Sequence, residues 1–281
     1  MMQRAVSTYL YVHQKLTTAT LAEFERVHIP YVELFCAQTH FDYRAPEVVR
    51  ELADWLEEHD VAVLSLHAPT SRDFAPTRES GVPISISDTE RVRRLDAVDE
   101  IKRAIDVAER IPFRYLVLHL GASREAADPR CYHAAFNSLE HLVVFAKQRG
   151  VTIALENTPG ELASPTNLRH FIQDTRLDVR VCFDTGHAHM EDGVGPSFET
   201  LRDLVVTAHL SDNHGEKDEH LLPYDGTIDW AAAVKELSAA PAATAGLPLV
   251  LELKESAVLG RPLEQVVGVF DKFEEALTAT T

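Results

Sequence analysis

The sequence predicts an α/β fold, a (β/α)8 TIM barrel that forms a single domain over residues 1–281. Eight short runs of β-branched and apolar residues alternate with eight amphipathic segments, the pattern of βαβ units around a parallel sheet. Such a barrel uses about 250 residues, so eight units account for the length. A doubly wound open sheet is the alternative, but no Gly-x-Gly-x-x-Gly follows the first strand.

Each predicted strand is a short apolar run, and each is followed by a helical segment. The strand candidates are Val6–Leu10, Tyr31–Phe35, Val61–His67, Tyr115–His119, Thr152–Glu156, Val179–Asp184, Val205–His209 and Leu249–Glu252. Apolar residues spaced three and four positions apart predict helices over residues 17–27, 45–58, 88–110, 127–148, 165–174, 197–204, 229–238 and 261–277.

The composition is that of a globular protein, with 45% hydrophobic and 25% charged residues. No apolar run approaches the roughly 18 residues of a membrane span, and the N-terminus lacks a signal-peptide core. Cys36, Cys131 and Cys182 lie far apart and predict a reduced, cytoplasmic protein. The net charge of −17 disfavours a nucleic-acid partner. The oligomeric state stays open, a homo-oligomer included.

Ionisable residues recur at the carboxyl ends of the predicted strands. Because side chains alternate across a strand, the terminal polar residue faces inward while its apolar neighbours face the helices. Barrel active sites form at this end of the strands from residues of several strands. The sequence therefore predicts one mouth where six side chains converge, namely His67, His119, Glu156, Asp184, His209 and Glu252.

Such a ring predicts a metal site. Burying imidazoles and carboxylates costs several kcal/mol each unless they are paired or metal-bound, to order of magnitude. Together they suit a divalent ion such as Mn, Zn, Co or Mg, and nothing indicates an organic cofactor. Glu33 also faces inward on the second strand. It either belongs to this ring or simply pairs with a buried basic residue.

Two loops add further candidates near the mouth. His187 follows Asp184 by three residues, where the chain leaves the sixth strand. Asp218 and His220, two residues apart in the loop after the seventh strand, can reach one ion from an extended backbone. His189 and His214 are expected to be solvated instead.

Five motifs carry a resemblance to a known superfamily. They are Leu64-Ser-Leu-His67-Ala-Pro, Leu116-Val-Leu-His119-Leu-Gly, Ala154-Leu-Glu156-Asn157-Thr-Pro-Gly, Cys182-Phe-Asp184-Thr-Gly-His187 and His209-Leu-Ser-Asp212. Together, and over essentially the whole chain, they resemble the xylose-isomerase-like TIM barrels, which include sugar-phosphate isomerases/epimerases and endonuclease IV.

In the isomerase/epimerase branch, the resemblance implies one metal held by Glu156, Asp184, His209 and Glu252, with His187 near a carbohydrate substrate. The metal would bind a carbonyl and an adjacent hydroxyl of an open-chain sugar and stabilise an enediolate. Glu156 and Glu252 would serve as base and acid as well as ligands, and His187 completes the expected catalytic set. With two glutamates, a proton that leaves one face and returns on the other gives epimerisation, whereas one base on one face gives isomerisation.

The resemblance to endonuclease IV implies a rival reading with three zinc ions and phosphodiester hydrolysis. A metal-dependent dehydratase or lyase is a further alternative. Ketose 3-epimerases carry a second glutamate six residues after the first, where this chain has Leu162. Which sugar is the substrate, and whether it is phosphorylated, stays open. The three implied zinc sets are His67, His119 and Glu156; Glu156, Asp184, His209 and Glu252; and His187, Asp218 and His220.

Overall fold

The computed structural model describes residues 2–72, 81–122, 125–241, 246–255 and 262–278. Eight parallel strands close into a barrel in chain order, with the first strand paired to the last. This confirms the predicted (β/α)8 fold. The strands are β1 Gln3–Ser7, β2 Tyr31–Phe35, β3 Ala62–His67, β4 Tyr115–His119, β5 Thr152–Glu156, β6 Arg180–Asp184, β7 Val205–Leu210 and β8 Pro248–Leu251.

Helices surround the barrel and bury their apolar faces against it. The bounds are α1 Thr18–Arg26, α2 Pro46–Glu58, α3 Arg91–Asp106, α4 Pro129–Lys147, α5 Pro165–Thr175, α6 Thr185–His189, α7 Val194–Leu201, α8 Trp230–Ser238 and α9 Pro262–Thr278. The short helix α6 was not predicted, and α7 begins three residues before its predicted start. None of these helices is long and apolar enough to cross a membrane within the part of the chain that the structure describes.

The first strand lies three residues earlier than predicted. β1 spans Gln3–Ser7, and Thr8–Tyr11 form a 3-10 turn instead of continuing the strand. The Ser7 hydroxyl accepts a hydrogen bond from the Tyr9 amide at 3.3 Å, which caps this turn. The apolar run through Leu10 therefore continues beyond the strand, and Leu10 packs in the main hydrophobic core.

The predicted alternation of side chains holds on β4, β5, β6 and β8, but a register shift interrupts it on β3. Val32 pairs with Val63, and the next pair is Glu33 with Ser65, so Leu64 is skipped. Leu64 then packs inside the barrel, while Val63 joins the outer core. The predicted inward position of Val63 is wrong, because the bulge at Leu64 exchanges the inward and outward faces for the residues that precede it in β3.

His40 connects two loops at the mouth and is buried without a charge partner among the described residues. Its Nδ1 lies 2.7 Å from the Gln14 carbonyl oxygen, and its Nε2 lies 3.0 Å from the Thr8 hydroxyl. Burial lowers the pKa of His40 to about 4, although hydrogen bonds to the backbone of Gln14 and Tyr11 partly oppose the shift. His40 therefore stays neutral in the folded protein at neutral pH.

We expect His40 to make the free energy of unfolding depend on pH between about 6.5 and 4. The unfolded chain protonates this imidazole near pH 6.5 and the folded chain only near pH 4, so stability falls as the pH drops through this window. Across this window the free energy of unfolding falls by about 3 kcal/mol. Urea unfolding at several pH values should show that His40→Gln removes this part of the slope. The exposed control His133→Gln should leave it unchanged, and an equal slope for His40→Gln and the parent chain would contradict the assignment.

Candidate metal centre

The predicted strand-end side chains meet at one mouth of the barrel around Glu156. Its Oε2 lies 3.3 Å from His67 Nε2 and 3.2 Å from His119 Nε2. Its Oε1 lies 3.3 Å from His187 Nδ1 and 3.5 Å from His209 Nδ1. The strands thus bring four imidazoles onto one buried carboxylate, whose residue is fully inaccessible to solvent.

Several polar atoms of this cluster are buried without a hydrogen-bond partner among the described residues. They are both carboxylate oxygens of Glu156, Oδ2 of Asp184, Nδ1 of His209 and Nε2 of His119. Buried polar atoms are nearly always satisfied, since each unsatisfied one costs about 1–3 kcal/mol. All of these atoms are typical metal ligands, so the donor set fits a divalent cation.

The ligand atoms fall into three groups, each with its atoms within 4.8 Å of one another. Glu156 belongs to two of them, which places it between two candidate ion positions. The group of His67, Glu156 and His209 contains His209, where the resemblance to endonuclease IV implies His119. His119 nevertheless contacts Oε2 of Glu156, the oxygen that His67 also contacts. The groups are Glu156, Asp184, His209 and Glu252; His67, Glu156 and His209; and His187, Asp218 and His220.

The backbone at the end of β6 explains why Asp184 points one oxygen into the mouth. Its Oδ1 accepts a hydrogen bond from the His187 amide at 2.6 Å and caps α6. The side chain of Asn157 holds the same strand end, because it donates to the Asp184 carbonyl at 3.0 Å and accepts from the Asp184 amide at 2.8 Å. Sequence reasoning missed this clamp, although Asn157 directly follows Glu156.

In three imidazoles a backbone carbonyl binds Nδ1, which leaves Nε2 to face a carboxylate, that of Glu156 or that of Asp218. A carbonyl can only accept, so Nδ1 carries the proton and Nε2 keeps a lone pair in the neutral ring. This is the state in which an imidazole binds a metal. The imidazoles are His67, His187 and His220, and the acceptors are the carbonyls of Ala68, Asn157 and Glu252 at 2.9, 2.9 and 3.1 Å.

The loop after β7 supplies Asp218 and His220 of the third group, and α6 supplies His187. The Nε2 atoms of His187 and His220 lie 3.4 and 3.0 Å from Asp218 Oδ2. His220 has a φ of 48°, a left-handed conformation that costs a non-glycine residue about 1–3 kcal/mol. The backbone amide of Lys254 donates to the His220 carbonyl and its ammonium donates to the Asp218 carbonyl, at 3.2 and 3.0 Å. These contacts hold the strained turn against the end of β8.

The imidazoles and carboxylates stabilise each other's charged forms. Burial alone would lower the pKa of His67, but Glu156 and other carboxylates raise it to about 9. Burial would raise the pKa of Glu252, but His209 and other imidazoles lower it to about 2. Asp184 differs, because burial outweighs the nearby His187 and raises its pKa to about 6. A cation bound here would therefore displace protons from the imidazoles.

Asp212 anchors the loop between β7 and α8 to the core. Its two oxygens accept hydrogen bonds from the backbone amides of Asn213, Tyr224 and Ile228 and from the indole nitrogen of Trp230. Trp230 is buried at the start of α8, so it is a core residue and not part of the mouth. A Cβ on Gly226 would lie 2.3 Å from Asp212 Oδ1, so only glycine fits there.

His189, His214 and Glu33 lie outside the three groups. His189 Nε2 lies 2.8 Å from the Thr227 hydroxyl, and His214 pairs with Glu219 at 2.8 Å in an exposed loop. Glu33, which the sequence left open, contacts His209 Nε2 at 3.1 Å.

Comparison with known proteins gives the family. Residues 22–270 match the sequence profile of the xylose isomerase-like TIM barrel. The chain is 27% identical over 247 residues to the uncharacterized protein MJ1311 of Methanocaldococcus jannaschii, covering 84% of this chain and 79% of the relative. It is 28% identical over 182 residues to a probable endonuclease 4 of Natronomonas pharaonis, covering 57% and 63%.

Two solved structures have the same fold. A D-tagatose 3-epimerase-like protein superposes with a TM-score of 0.78 at 20% identity, over 99% of this chain and 98% of the other. The IolI protein with a bound zinc atom gives 0.78 at 15% identity, over 99% of both chains. At these identities the likeness concerns the fold alone.

Proposed function

The chain belongs to the xylose isomerase-like TIM barrel family, and from that premise we propose that it is a metal-dependent sugar or sugar-phosphate isomerase or epimerase. The observation that carries the proposal is the buried group of Glu156, Asp184, His209 and Glu252, whose ligand atoms converge within 4.8 Å at the barrel mouth. The epimerase-like and zinc-binding structures of the same fold support it. We assign the whole of residues 1–281 to this one barrel.

A divalent ion held by these four residues, Mn, Zn, Co or Mg, would polarise a carbonyl and an adjacent hydroxyl of an open-chain sugar. The chain's own task is then proton transfer at the carbon next to the carbonyl. Glu156 ends β5 and Glu252 follows β8, so the two carboxylates approach the mouth from different strands. Burial is outweighed at Glu156 by His209 and His119, which keep its pKa well below its usual range and the carboxylate ionised.

An ionised carboxylate on one side of this carbon would remove a proton, and a second group on the other side would return one. Return to the opposite face inverts the carbon, and return to a neighbouring atom of the same face moves the carbonyl. His187, whose ring lies between Glu156 and Asp218, would orient a substrate hydroxyl.

The test is solvent exchange. The protein, purified and supplied with Mn²⁺, Co²⁺, Mg²⁺ or Zn²⁺, is incubated in D₂O with pentoses, hexoses and their phosphates. Proton NMR should show deuterium at the carbon next to the carbonyl, and removal of metal by a chelator should abolish the exchange. Absence of exchange with every sugar, together with cleavage of a duplex containing an abasic site, would overturn the proposal.

One observation favours a second candidate, a phosphodiester hydrolase with more than one metal. His67 and His119 flank Glu156, and His187, Asp218 and His220 form a separate group, so the mouth offers ligands beyond those of a single ion. Paired and triple metal sites suit displacement at phosphorus. The net charge of −17 weighs against a nucleic-acid substrate, because phosphate backbones bind basic surfaces.

A further inference from the structure

Glu33 is a buried carboxylate inside the barrel that contacts the imidazole of His209. It lies on β2, is fully inaccessible to solvent, and its Oε2 lies 3.1 Å from His209 Nε2 on β7. The Ser65 hydroxyl on β3 donates to the same oxygen at 2.8 Å. Its other oxygen, Oε1, is buried without a hydrogen-bond partner in the described ranges of the chain.

The Glu33 contact decides which nitrogen of His209 faces the mouth. A carboxylate next to Nε2 accepts that nitrogen's proton in a hydrogen bond, so Nδ1 keeps the lone pair in the neutral ring. That Nδ1 lies 3.3 Å from Glu252 Oε2 and 3.5 Å from Glu156 Oε1, which are two members of the four-residue group.

His209 differs in this respect from the other imidazoles of the mouth. His67, His187 and His220 are each oriented through Nδ1 by a backbone carbonyl and present Nε2. His209 is oriented through Nε2 by a carboxylate and presents Nδ1. A carboxylate makes the imidazole a more basic ligand than a carbonyl does, and such outer partners tune metal affinity.

A structural role alone does not account for Glu33. A fully buried carboxylate is unfavourable unless paired, and within the described residues its only ion pair is with His209. Ser65 supplies one hydrogen bond, but an apolar side chain would fill this interior position without burying a charge.

We propose that Glu33 is a positioning residue, which holds His209 in the tautomer and orientation that present its Nδ1 to an ion in the four-residue group. The inference rests on the proposed metal centre and adds to it the residue that sets the metal affinity. Glu33 does not touch the substrate or the reacting atoms, and it acts only through His209.

The test is Co²⁺ binding to the full chain, followed by visible absorption and by competition with a chelator. We expect Glu33→Gln to weaken the tightest Co²⁺ by about 10–100-fold and to change its absorption spectrum. The amide can donate to His209 Nε2 and so favours the wrong tautomer, while its size fits the site. Thermal unfolding without added metal should stay close to that of the parent chain.

A matched control separates this effect from the loss of any buried carboxylate. Glu100 is also buried, but it pairs with Arg44 and Arg103 on the outside of the barrel. Glu100→Gln should lower the melting temperature and leave Co²⁺ affinity and spectrum unchanged. Glu33→Gln with parental affinity and spectrum would overturn this proposal alone. A parent chain that binds no Co²⁺ would overturn the proposed metal centre and this proposal with it.

Discussion

Replacing Glu156 by Gln is expected to remove the tightly bound metal and to lower turnover by about 10³-fold or more. Glu156 belongs to two of the three ligand groups, and both of its oxygens face the mouth without hydrogen-bond partners among the described side chains. The amide keeps the shape but has one neutral oxygen, so it replaces neither the ligand nor the proton acceptor. Metal content by mass spectrometry and deuterium exchange into the sugar measure the two losses.

The control for this variant is Glu161→Gln, an exposed carboxylate in the loop that follows β5. It should keep the metal and the activity of the parent chain. Circular dichroism should show that both variants fold. A Glu156→Gln chain with full metal content and full turnover would mean that the site has been placed wrongly.

The largest effect on stability is expected at Asp212. Two of its four hydrogen bonds end on Oδ1 and two on Oδ2, and the donors hold the loop between β7 and α8. Asp212→Asn puts an amide group against two of these donors. Each buried donor left without an acceptor costs about 1–3 kcal/mol, so the free energy of unfolding should fall by about 2–6 kcal/mol. Urea unfolding measures this directly.

Asp229 gives the matched comparison, because it lies in the same loop and caps α8 at its exposed end with one bond to the Ala232 amide. Asp229→Ala should cost about 1 kcal/mol. The loop also carries Asp218 and His220, so Asp212→Asn should weaken metal binding at the third group as well. Equal stability losses in the two variants would contradict the anchoring role of Asp212.

Much of the mouth could be predicted because it follows from local sequence. A polar residue at the end of six of the eight apolar runs, such as His119 or Glu156, identifies both the strand end and the face. The same reasoning predicted β1 wrongly, because the Ser7 side chain turns the backbone while apolar residues continue beyond it. Local patterns do not show where a side chain ends a strand.

Other features depend on neighbouring strands and could not be predicted from one stretch of chain. The skipped residue Leu64 results from the pairing of β3 with β2. The contact between Glu33 and His209 joins residues 176 positions apart, so the sequence showed a buried carboxylate without its partner. Such pairs become visible only when the barrel is closed.

We propose that the barrel mouth binds a divalent metal through Glu156, Asp184, His209 and Glu252. Anomalous diffraction from crystals grown with Co²⁺ or Mn²⁺ tests it most directly. We expect a peak about 2.0–2.3 Å from one atom of each of these four side chains. Additional peaks beside His67 and His119 and beside Asp218 and His220 would favour the hydrolase. Crystals that contain the metal but show no peak among these four residues would contradict the claim.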